Sequence, residues 1–325
     1  MISIAICTYN GEKYINEQLQ SIINQTRQPD EIIICDDCSK DKTVDIAQNI
    51  LREWNGQYRI VINKINLGFK KNFEKAIGLC QGNIIFLSDQ DDVWDLNKIA
   101  LMVSVFSTNP ETILVFHDAI LVDEKLNLLK KSFWKILLFD PQKNLMGDYG
   151  RLLEGNVIQG SACAFRKELF IKSFPFPQMA IHDEWLAMVA SSSGKIVPIN
   201  KPLMMYRQGN NIIGGLQDSV ATRLKQWIFN GSKLGKHIDE IVRRKLIIEI
   251  YLKRYSDNPC TKQWNDYYKF LTYRINCIYH KNEILLKKVN LYRRYHTTLL
   301  RAVKALMKDL LCMIFLDSDR IKNHE

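Results

Sequence analysis

Three aspartates and a glutamine, Asp89-Gln90-Asp91-Asp92, follow directly after the apolar run Ile84-Ile85-Phe86-Leu87-Ser88. Carboxylates this close together at a strand end repel one another, and they stay charged near neutral pH only when a cation lies among them. A divalent metal ion is the natural candidate, because Mg²⁺ and Mn²⁺ prefer such oxygen ligands and keep open positions for the phosphates of a nucleotide. A solvated turn that caps the next helix is the alternative for this segment alone.

Two other polar segments follow apolar runs near the start of the chain. Thr8-Tyr9-Asn10 comes after residues 2–7, and Asp36-Asp37-Cys38-Ser39-Lys40-Asp41-Lys42-Thr43 comes after residues 31–35. Each run is rich in β-branched residues and precedes a helical pattern, as in a βα unit. Ligands bind at the carboxyl ends of the strands in an open α/β sheet, so the three polar segments are predicted to meet in one crevice.

In this order the segments resemble the family 2 glycosyltransferases, whose nucleotide-binding fold is called GT-A. The matching pieces are Thr8-Tyr9-Asn10, Asp36-Asp37-Cys38-Ser39-Lys40-Asp41-Lys42-Thr43, Asn66-Leu67-Gly68, Ser88-Asp89-Gln90-Asp91-Asp92-Val93-Trp94 and His182-Asp183-Glu184-Trp185. They extend over roughly the first two-thirds of the chain, and an ordered series is far more specific than any one motif. Together with Tyr206-Arg207-Gln208 they are most similar to bacterial rhamnosyltransferases of polysaccharide biosynthesis.

The resemblance implies that the first two segments bind the nucleotide. Thr8, Tyr9 and Asn10 would contact it, with the Tyr9 ring stacked on a pyrimidine base; a packing position in the core is the alternative for Tyr9. Asp37 would accept a hydrogen bond from the imide N–H of uracil or thymine. Its neighbour Asp36 has a simpler alternative as a turn residue.

The resemblance also implies a metal site and a base. Asp91 would coordinate Mg²⁺ or Mn²⁺ directly, and Asp89 would contact the ribose or the metal ion, which offsets charge on the nucleoside diphosphate leaving group. Asp92 is expected to cap the next helix or to support the metal ligands. Asp183 would take the proton of the acceptor hydroxyl, since displacement with inversion needs only one such carboxylate. An aspartate in the first turn of a helix is the structural alternative for Asp183.

Two positions depart from the family pattern. Close relatives often carry Trp where Glu184 stands, and His directly after Tyr206-Arg207-Gln208, where this chain has glycine. The missing His removes one candidate contact to the diphosphate or metal ion. Because Glu184 replaces the usual Trp, the resemblance does not define the acceptor. His182 could orient Asp183 or approach the metal ion, and a sugar ring could stack on Trp185. A buried structural position is the simpler interpretation of both residues.

Composition restricts the class of protein. At 325 residues, 46% hydrophobic and 25% charged, the chain can bury one large core or a domain with an appendage. The sequence shows no secretory leader and no run of ~18 apolar residues, which favours a cytoplasmic protein. Its eight scattered cysteines favour buried thiols in a reducing compartment. Cys35 and Cys38 have the spacing of a redox or zinc site. However, Cys35 ends a strand, whereas a redox pair normally opens a helix, and no second cysteine pair completes a zinc site.

Alternating strands and helices are predicted up to residue 207. Strands are predicted at 2–7, 31–36, 58–62, 83–88 and 112–118, and helices at 12–24, 41–54, 69–80 and 96–107. A looser region over 119–155 precedes a strand at 157–165, a helix at 182–192 and strands at 195–199 and 203–207. This pattern predicts an α/β fold with a mostly parallel sheet flanked by helices and a helical C-terminal region, and the resemblance implies that the sheet is GT-A-like.

The C-terminal third carries the whole basic excess. Residues 216–325 hold 22 Lys and Arg against 11 Asp and Glu, whereas the other residues hold 23 against 24. A boundary is predicted near Gly214-Gly215, between a catalytic domain (1–215) and a basic helical region (216–325). Apolar residues recur every three to four positions over Leu299 to Phe315. This helix is predicted either to pack on protein or to lie on an anionic membrane surface.

The expected function is inverting transfer of L-rhamnose from dTDP-L-rhamnose to a cell-surface polysaccharide or lipid-linked oligosaccharide, at the inner face of the cell membrane. The alternatives are transfer from another UDP- or dTDP-sugar, nucleotidyl transfer, and a non-catalytic role in membrane assembly. A nucleotidyltransferase would usually show a glycine-rich, basic phosphate loop near residue 10, which is absent. Nucleic acid is not an expected partner, because no recognised binding module accompanies the charge.

Overall fold

The computed structural model describes residues 1–141, 150–208, 231–258, 261–281, 289–296 and 299–315. The described residues of Met1–Met146 and Asn156–Asn210 form one compact unit, and those of Gly147–Gly155 and Asn211–Glu325 form a second. The predicted boundary near Gly214-Gly215 lies outside the described residues.

Four parallel strands form one half of the sheet in the first unit. They are β1 (Ile2–Thr8), β2 (Glu31–Asp36), β3 (Gln57–Ile62) and β4 (Ile84–Ser88), in the order β3-β2-β1-β4. β1 and β2 are buried along their whole length, as the Ile-rich centre of a parallel sheet should be, whereas β3 is a mostly exposed edge strand. The register places Thr8 beside Asp36 and Ile6 beside Ser88, so the three polar segments begin at one edge of the sheet.

Amphipathic helices connect and cover these strands. They are α1 (Ile15–Ile23), α2 (Thr43–Arg52), α3 (Phe69–Leu79) and α4 (Lys98–Thr108). α1 buries Ile15, Leu19 and Ile22, which recur at helical spacing. All four helices were predicted. α1 begins later than predicted, because residues 12–14 form a turn; the N–H groups of Gly11 and Glu12 donate to the Thr43 and Asp41 side chains.

The other half of the sheet is mixed. It contains β5 (Val93–Trp94), β6 (Thr112–Val122), β7 (Leu128–Lys130), β8 (Cys163–Arg166) and β9 (Lys195–Arg207). β8 lies antiparallel between β4 and β6, β9 is parallel to β6, and β5 and β7 pair antiparallel with β9 and β6. The α/β prediction is confirmed, but the sheet is less uniformly parallel than the sequence pattern suggests, because β5, β7 and β8 all pair antiparallel with their neighbours.

The elements around β8 differ from the predicted ones in detail. The strand predicted at 157–165 is a 3₁₀ turn, Gly160–Ala162, followed by β8. The two strands predicted near 195–207 are one, β9, whose register with β6 shifts where Asp118 pairs with Pro202. Three short helices complete the region, α5 (Phe133–Ile136), α7 (Lys167–Ser173) and α8 (His182–Ala190), whereas α6 (Gly150–Glu154) belongs to the second unit.

The second unit is helical. It contains α6, α9 (Gly231–Arg254), α10 (Thr261–Tyr279), α11 (Val289–Tyr295) and α12 (Leu299–Phe315). α6 joins it because the buried Glu154 carboxylate pairs with Arg301 at 2.6 Å and Arg244 donates to the carbonyls of Leu152 and Leu153. No helix in the described ranges is both long and apolar enough to cross a bilayer.

A buried ionic network links the four longer segments of this unit. Asp309 of α12 accepts hydrogen bonds from Arg274 at 2.7 and 2.8 Å, from His237 at 2.9 Å if that nitrogen is protonated, and from the hydroxyl of Tyr292. Burial raises the pKa of Asp309, but the charge and hydrogen bonds of Arg274 together with those of His237 lower it by more, so the net shift is downward. One carboxylate therefore ties together α9, α10, α11 and α12.

Candidate functional site

A cavity of about 550 Å³ opens at the carboxyl ends of β1, β2 and β4. Five predicted site residues line it: Thr8, Tyr9, Asp37, Asp89 and Asp91. Within the part of the chain that the structure describes, Asn10 and Asp183 are not among the lining residues. The parallel strands thus bring most of the predicted residues together, as strand ends at one edge of an α/β sheet should.

The Gln90 carboxamide ties the end of β1 to the acidic segment. Its oxygen accepts a hydrogen bond from the Tyr9 N–H at 2.8 Å, and its nitrogen donates to the Tyr9 carbonyl at 3.1 Å. The Tyr9 side chain is 50% exposed, so a packing position in the core does not describe it. A ring held at the cavity by its own backbone, and not by packing, is available to stack on a flat ligand.

Asn10 shapes the loop beside the cavity. It adopts a left-handed backbone with φ of 48°, its N–H donates to the Ser39 hydroxyl at 2.9 Å, and its side-chain oxygen accepts from the Lys40 N–H at 2.9 Å. At the next position, a Cβ on Gly11 would lie 2.3 Å from the Gln90 oxygen, so a larger residue would displace the Gln90 carboxamide from its contact with Tyr9. Asn10 therefore joins the loops that follow β1 and β2.

Asp36 is a turn residue. It is fully buried, and its carboxylate accepts hydrogen bonds from the Thr8 hydroxyl at 2.7 Å and from the Ser39 N–H at 2.9 Å. Because the Thr8 hydroxyl donates its proton to Asp36, that proton is not free to bind a ligand in the cavity. Asp36 therefore has the turn role that was the simpler alternative for it in the sequence.

Asp37 organises a second loop while it lines the cavity. Its carboxylate accepts hydrogen bonds from the Asn63 side chain at 2.8 Å, from the Leu67 N–H at 2.7 Å and from the Gly68 N–H at 2.8 Å. Gly68 has a positive φ of 75°, a backbone conformation that favours glycine. Asn66-Leu67-Gly68 belongs to the same motif series, and its position is explained by this contact with Asp37, which the sequence does not reveal.

The acidic segment holds three crowded carboxyls. Burial and the charge of Asp91 raise the pKa of Asp89 to about 6, and burial also raises that of Asp91. Asp92 is completely buried and accepts hydrogen bonds from the Ser161 hydroxyl at 2.6 Å and the Arg207 N–H at 3.3 Å. Burial raises its pKa well above the usual value, and Asp89 and Asp91 add to the shift. The raised pKa values mean that full negative charge on these carboxyls is disfavoured unless a cation compensates it.

Arg207 is the cation at the cavity wall. Its buried guanidinium donates to the Asp91 carbonyl at 2.8 Å, pairs with Glu17 at 2.5 Å and lies 4.6 Å from the centre of the Tyr14 ring. It also donates to the Glu124 carbonyl. Arg207 is visible in the sequence only as part of a motif, because its partners Glu17, Asp91 and Glu124 lie far away along the chain.

A second cation, Lys98, lies beneath the acidic segment and was missed by the sequence analysis. Its ammonium group lies 2.5 Å from the Ser161 carbonyl and 3.5 Å from the centre of the Trp94 ring. Burial lowers the pKa of Lys98 to about 7, while the Asp92 charge opposes that shift. One signal was available: a lysine in the first turn of a helix is disfavoured by the helix dipole, so it needs another reason to be there.

Asp89 and Asp91 fit a metal ion that is bound together with a nucleotide. The described residues contain no group of three or more His, Cys, Asp or Glu side chains able to hold a metal ion. Mg²⁺ and Mn²⁺ sites that serve nucleotides often use one or two carboxylates, with phosphate and water oxygens as the other ligands. The raised pKa of both carboxyls fits this donor set, because a divalent cation would compensate the crowded charge.

Asp183 lies in the first turn of α8, beside the cavity wall. Its carboxylate accepts hydrogen bonds from the Gly160 N–H at 3.0 Å and from the Glu184 N–H at 2.6 Å. Burial raises the pKa of Asp183 to about 7, which is suitable for a group that exchanges a proton near neutral pH. The neighbouring His182 ring stacks at 4.1 Å on Phe73, which lines the cavity.

His182 and Trp185 occupy buried positions. Burial lowers the pKa of His182 to about 3, and neither ring nitrogen has a hydrogen-bond partner among the described residues. A Cβ on Gly160 would come within 2.6 Å of the His182 ring, so the close approach depends on glycine. Trp185 is fully buried and donates to the Ser173 carbonyl at 2.8 Å, so it matches its structural alternative.

An open α/β sheet with an acidic cavity at its carboxyl edge is the architecture of nucleotide-binding proteins. The sequence profile of "Glycosyl transferase family 2" matches residues 3–174, more than half of the chain, and the chain belongs to this family. The profile match ends before Asp183. A functional role for Asp183 is therefore supported by its geometry and not by the profile.

Two relatives illustrate the similarity. The dTDP-rhamnosyl transferase RfbG of Shigella flexneri is 30% identical over 235 residues, which cover 68% of this chain and 77% of RfbG. An uncharacterized glycosyltransferase of Haemophilus influenzae is 25% identical over 264 residues, covering 77% of this chain and 80% of the relative.

Solved structures confirm the predicted fold. TarS of S. aureus in complex with UDP-GlcNAc superposes with a TM-score of 0.59 at 15% identity, covering 95% of this chain and 81% of TarS residues 1–349. The mannosyltransferase PcManGT from Pyrobaculum calidifontis, in complex with GDP-Man and Mn²⁺, gives a TM-score of 0.50 at 15% identity, with 97% and 87% covered. The fold is therefore that of the GT-A glycosyltransferases.

Proposed function

We propose that this glycosyltransferase is a metal-dependent, inverting enzyme that takes a sugar from a pyrimidine nucleotide donor, with dTDP-L-rhamnose as the favoured donor. One observation carries the proposal. An acidic cavity and a separate carboxyl with a pKa near neutrality, that of Asp183, lie at the same edge of the sheet. Such a site offers one surface for a charged leaving group and one base for the attacking hydroxyl.

The donor nucleotide is proposed to lie against β1 and β2. The half-exposed Tyr9 ring would stack on the base, and the Asp37 carboxylate would accept the imide N–H in addition to its loop contacts. Thr8 would border the nucleotide, and Asn10 would act by shaping the loop that holds Tyr9. An imide contact selects uracil and thymine over bases that lack that donor, but it does not separate the two from each other.

Asp91, supported by Asp89, is proposed to hold Mg²⁺ or Mn²⁺. A bound ion would offset the charge that develops on the diphosphate as the glycosidic bond breaks. Arg207 would add a fixed positive charge close by, although its pairing with Glu17 reduces the net effect. The Mn²⁺ in the PcManGT complex supports this assignment by likeness of fold alone.

Asp183 is proposed to be the base. Its carboxylate would take the acceptor's hydroxyl proton while the acceptor oxygen bonds to the anomeric carbon and the bond from that carbon to the diphosphate oxygen breaks. The two backbone N–H groups that hold Asp183 fix the carboxylate in place, so no side-chain partner has to move during the step. A single base on the acceptor side is what inversion requires.

The choice of rhamnose rests on similarity. RfbG carries the name of a dTDP-rhamnosyl transferase, and the Ser88-Asp89-Gln90-Asp91-Asp92-Val93-Trp94 segment resembles bacterial rhamnosyltransferases. The alternative is another UDP- or dTDP-sugar, of which the UDP-GlcNAc in the TarS complex is an example.

The acceptor is proposed to be a cell-surface polysaccharide or lipid-linked oligosaccharide, glycosylated at the cytoplasmic face of the membrane. Support comes from α12, which the sequence predicted either to pack on protein or to lie on a membrane. Its Leu306 and Cys312 side chains are buried, whereas Val303, Met307 and Ile314 are 43%, 44% and 66% exposed along one side. Packing thus accounts for one face of the helix, and the exposed face beside Lys304 is proposed for anionic lipid.

A panel of UDP- and dTDP-sugars, incubated with Mg²⁺ and a set of glycan acceptors and read by mass spectrometry of the products, tests the function. Transfer from dTDP-L-rhamnose that disappears in excess EDTA and in Asp91→Ala, but not in an exposed control such as Asp45→Ala, is the expected result. Transfer that continues in excess EDTA would contradict the metal assignment. Transfer from another donor alone would replace rhamnose, and no transfer from any donor would leave a non-catalytic assembly role.

A further inference from the structure

Lys98 is a lysine with no exposed surface in the first turn of α4. Its ammonium group contacts the Ser161 carbonyl, the face of the Trp94 ring and, at 4.0 Å, the sulfur of Met204. Removing a cation from water is costly, and methionine would fill a similar volume without that cost. A buried lysine at this position therefore calls for a role that its charge and its hydrogen bond can explain.

Lys98 contacts the Gly160-Ser161 dipeptide, which also hydrogen-bonds to two aspartates, Asp92 and Asp183. The Ser161 hydroxyl donates to Asp92 at 2.6 Å, at the end of the acidic segment. The Gly160 N–H donates to Asp183 at 3.0 Å. Lys98 binds the carbonyl of the same dipeptide from beneath, at 2.5 Å. Two residues thus connect the acidic segment, the first turn of α8 and the first turn of α4.

We propose that Lys98 is a positioning residue that fixes the Gly160-Ser161 turn, and through it the distance between the donor-binding carboxylates and Asp183. The inference rests on the proposed function, in which Asp91 binds the diphosphate through the metal ion and Asp183 is the base. Lys98 lies below the sheet edge and does not line the cavity, so it acts through the turn and not on the substrate.

The role predicts a specific kinetic pattern. If the turn shifts, the base moves relative to the anomeric carbon, and displacements of about 1 Å can lower a rate by about 100-fold. The nucleotide contacts on β1 and β2 do not involve the turn. Loss of Lys98 should therefore lower kcat strongly while the affinity for nucleotide changes little.

The pH profile supplies a second signature. Burial raises the pKa of Asp183, the charges of Glu184 and Asp89 raise it further, and the Gly160 N–H lowers it because this donor stabilises the charged form. If the turn moves away, that stabilisation is lost and the pKa of Asp183 rises. The acid limb of kcat/KM should then shift to higher pH.

The experiment compares Lys98→Met with Ser161→Ala and with Lys201→Met, the same exchange at an exposed lysine of β9. Binding of UDP with Mg²⁺ is measured by calorimetry, which also counts the folded sites, and kcat per binding site is measured with the donor and acceptor that the wild type uses. We expect kcat to fall by about 10- to 100-fold in Lys98→Met and at least several-fold in Ser161→Ala, with the UDP affinity changed by less than about 3-fold. Lys201→Met should match the wild type.

Each outcome of this experiment tests either the positioning role of Lys98 or the proposed function. Lys98→Met with wild-type kcat per site and an unshifted acid limb overturns the positioning role, even if its melting temperature falls, because it then only stabilises the fold. If Lys98→Met does not fold, Ser161→Ala decides, and an unchanged kcat and acid limb in that variant also overturn the role. A wild type that binds UDP but transfers no sugar from any donor overturns the proposed function itself, which this pattern distinguishes from a failure of Lys98 alone.

Discussion

The Asp183 carboxyl is held between two protonation states near neutral pH. Burial raises its pKa to about 7, whereas an exposed aspartate would be fully charged there. A base must be deprotonated to act, so its fraction in the active form increases as the pH rises through its pKa. This makes pH dependence a direct test of the residue.

We expect kcat/KM to fall as the pH drops below about 7, following the protonation of Asp183. Asp183→Asn should lower kcat by about 10²- to 10⁴-fold and leave nucleotide affinity nearly unchanged, because the base acts on the acceptor. Initial rates across the pH range, with calorimetry for UDP, measure both effects. Glu168→Gln, at an exposed site on α7, is the control. Near-normal turnover in Asp183→Asn would mean that another group is the base.

Asp37 has two separable tasks in this proposal, a loop contact and an imide contact. UDP methylated at N3 of the uracil lacks the imide proton, so we expect it to bind wild type about 10- to 100-fold more weakly than UDP does. Asp37→Ala should bind both nucleotides weakly and without preference. Calorimetry on the four pairs gives the coupling directly. An equal loss on methylation in both proteins would leave Asp37 as a loop residue alone.

Local motifs predicted five of the residues that line the cavity, Thr8, Tyr9, Asp37, Asp89 and Asp91, because residue type and position after a strand are visible in the sequence. Their supporting partners were not predictable. Lys98 reaches Ser161 across 63 positions, and Gln90 reaches Tyr9 across 81. No local pattern announces such contacts, since they arise only when strands and helices are packed. The loop role of Asp37 was missed for the same reason.

At the scale of elements, the βα repeat predicted the first four strands and helices with small errors at their ends. Hydrophobic runs and helical spacing are strong signals when each strand is buried and each helix covers it. The region from β6 to β9 was less predictable. β8 has only four residues, and the segment predicted as two strands, 195–199 and 203–207, is one long strand whose register with β6 shifts.

The exposed face of α12 can be tested without disturbing its packed face. Met307→Glu with Ile314→Glu should release the protein from phosphatidylglycerol vesicles while donor turnover persists, because both side chains are exposed. Binding of the wild type should weaken with salt and on neutral phosphatidylcholine vesicles. Co-sedimentation measures all of this. Leu246→Glu, at an exposed leucine of α9, is the matched control.

Leu306 is not a suitable position for that experiment. It is only 8% exposed, so a charge there would disturb the helix packing whatever α12 binds. Equal vesicle binding by wild type and the Met307→Glu, Ile314→Glu variant would remove α12 as a membrane contact.

At the scale of the whole molecule, the second unit depends on a buried charge at Asp309. Its folded-state pKa lies below the unfolded value, so its contribution to stability is complete above about pH 4 and is lost as the pH falls through the folded pKa. Removing one partner from such a network leaves the other charge buried and uncompensated, which costs more than removing both.

We therefore expect Asp309→Asn to lower the melting temperature by roughly 5–10 °C at neutral pH. Combining Asp309→Leu with Arg274→Met should be less harmful than Asp309→Leu alone. Calorimetric melting compares these variants with Asp257→Asn, an exposed control. A melting temperature in Asp309→Asn that equals that of the control would show that the network contributes little.

The rim of the cavity that is proposed to bind the nucleotide carries two exposed aromatic side chains. Tyr9 and Phe69 line it and are 50% and 56% exposed, so a bound ligand would remove aromatic surface from water on both sides. Burial of apolar surface has a thermodynamic sign of its own, a negative change in heat capacity. The enthalpy of UDP binding should therefore become more favourable as the temperature rises, and calorimetry at several temperatures would measure the slope. In Phe69→Ser the slope should be shallower, because less aromatic surface is left to cover.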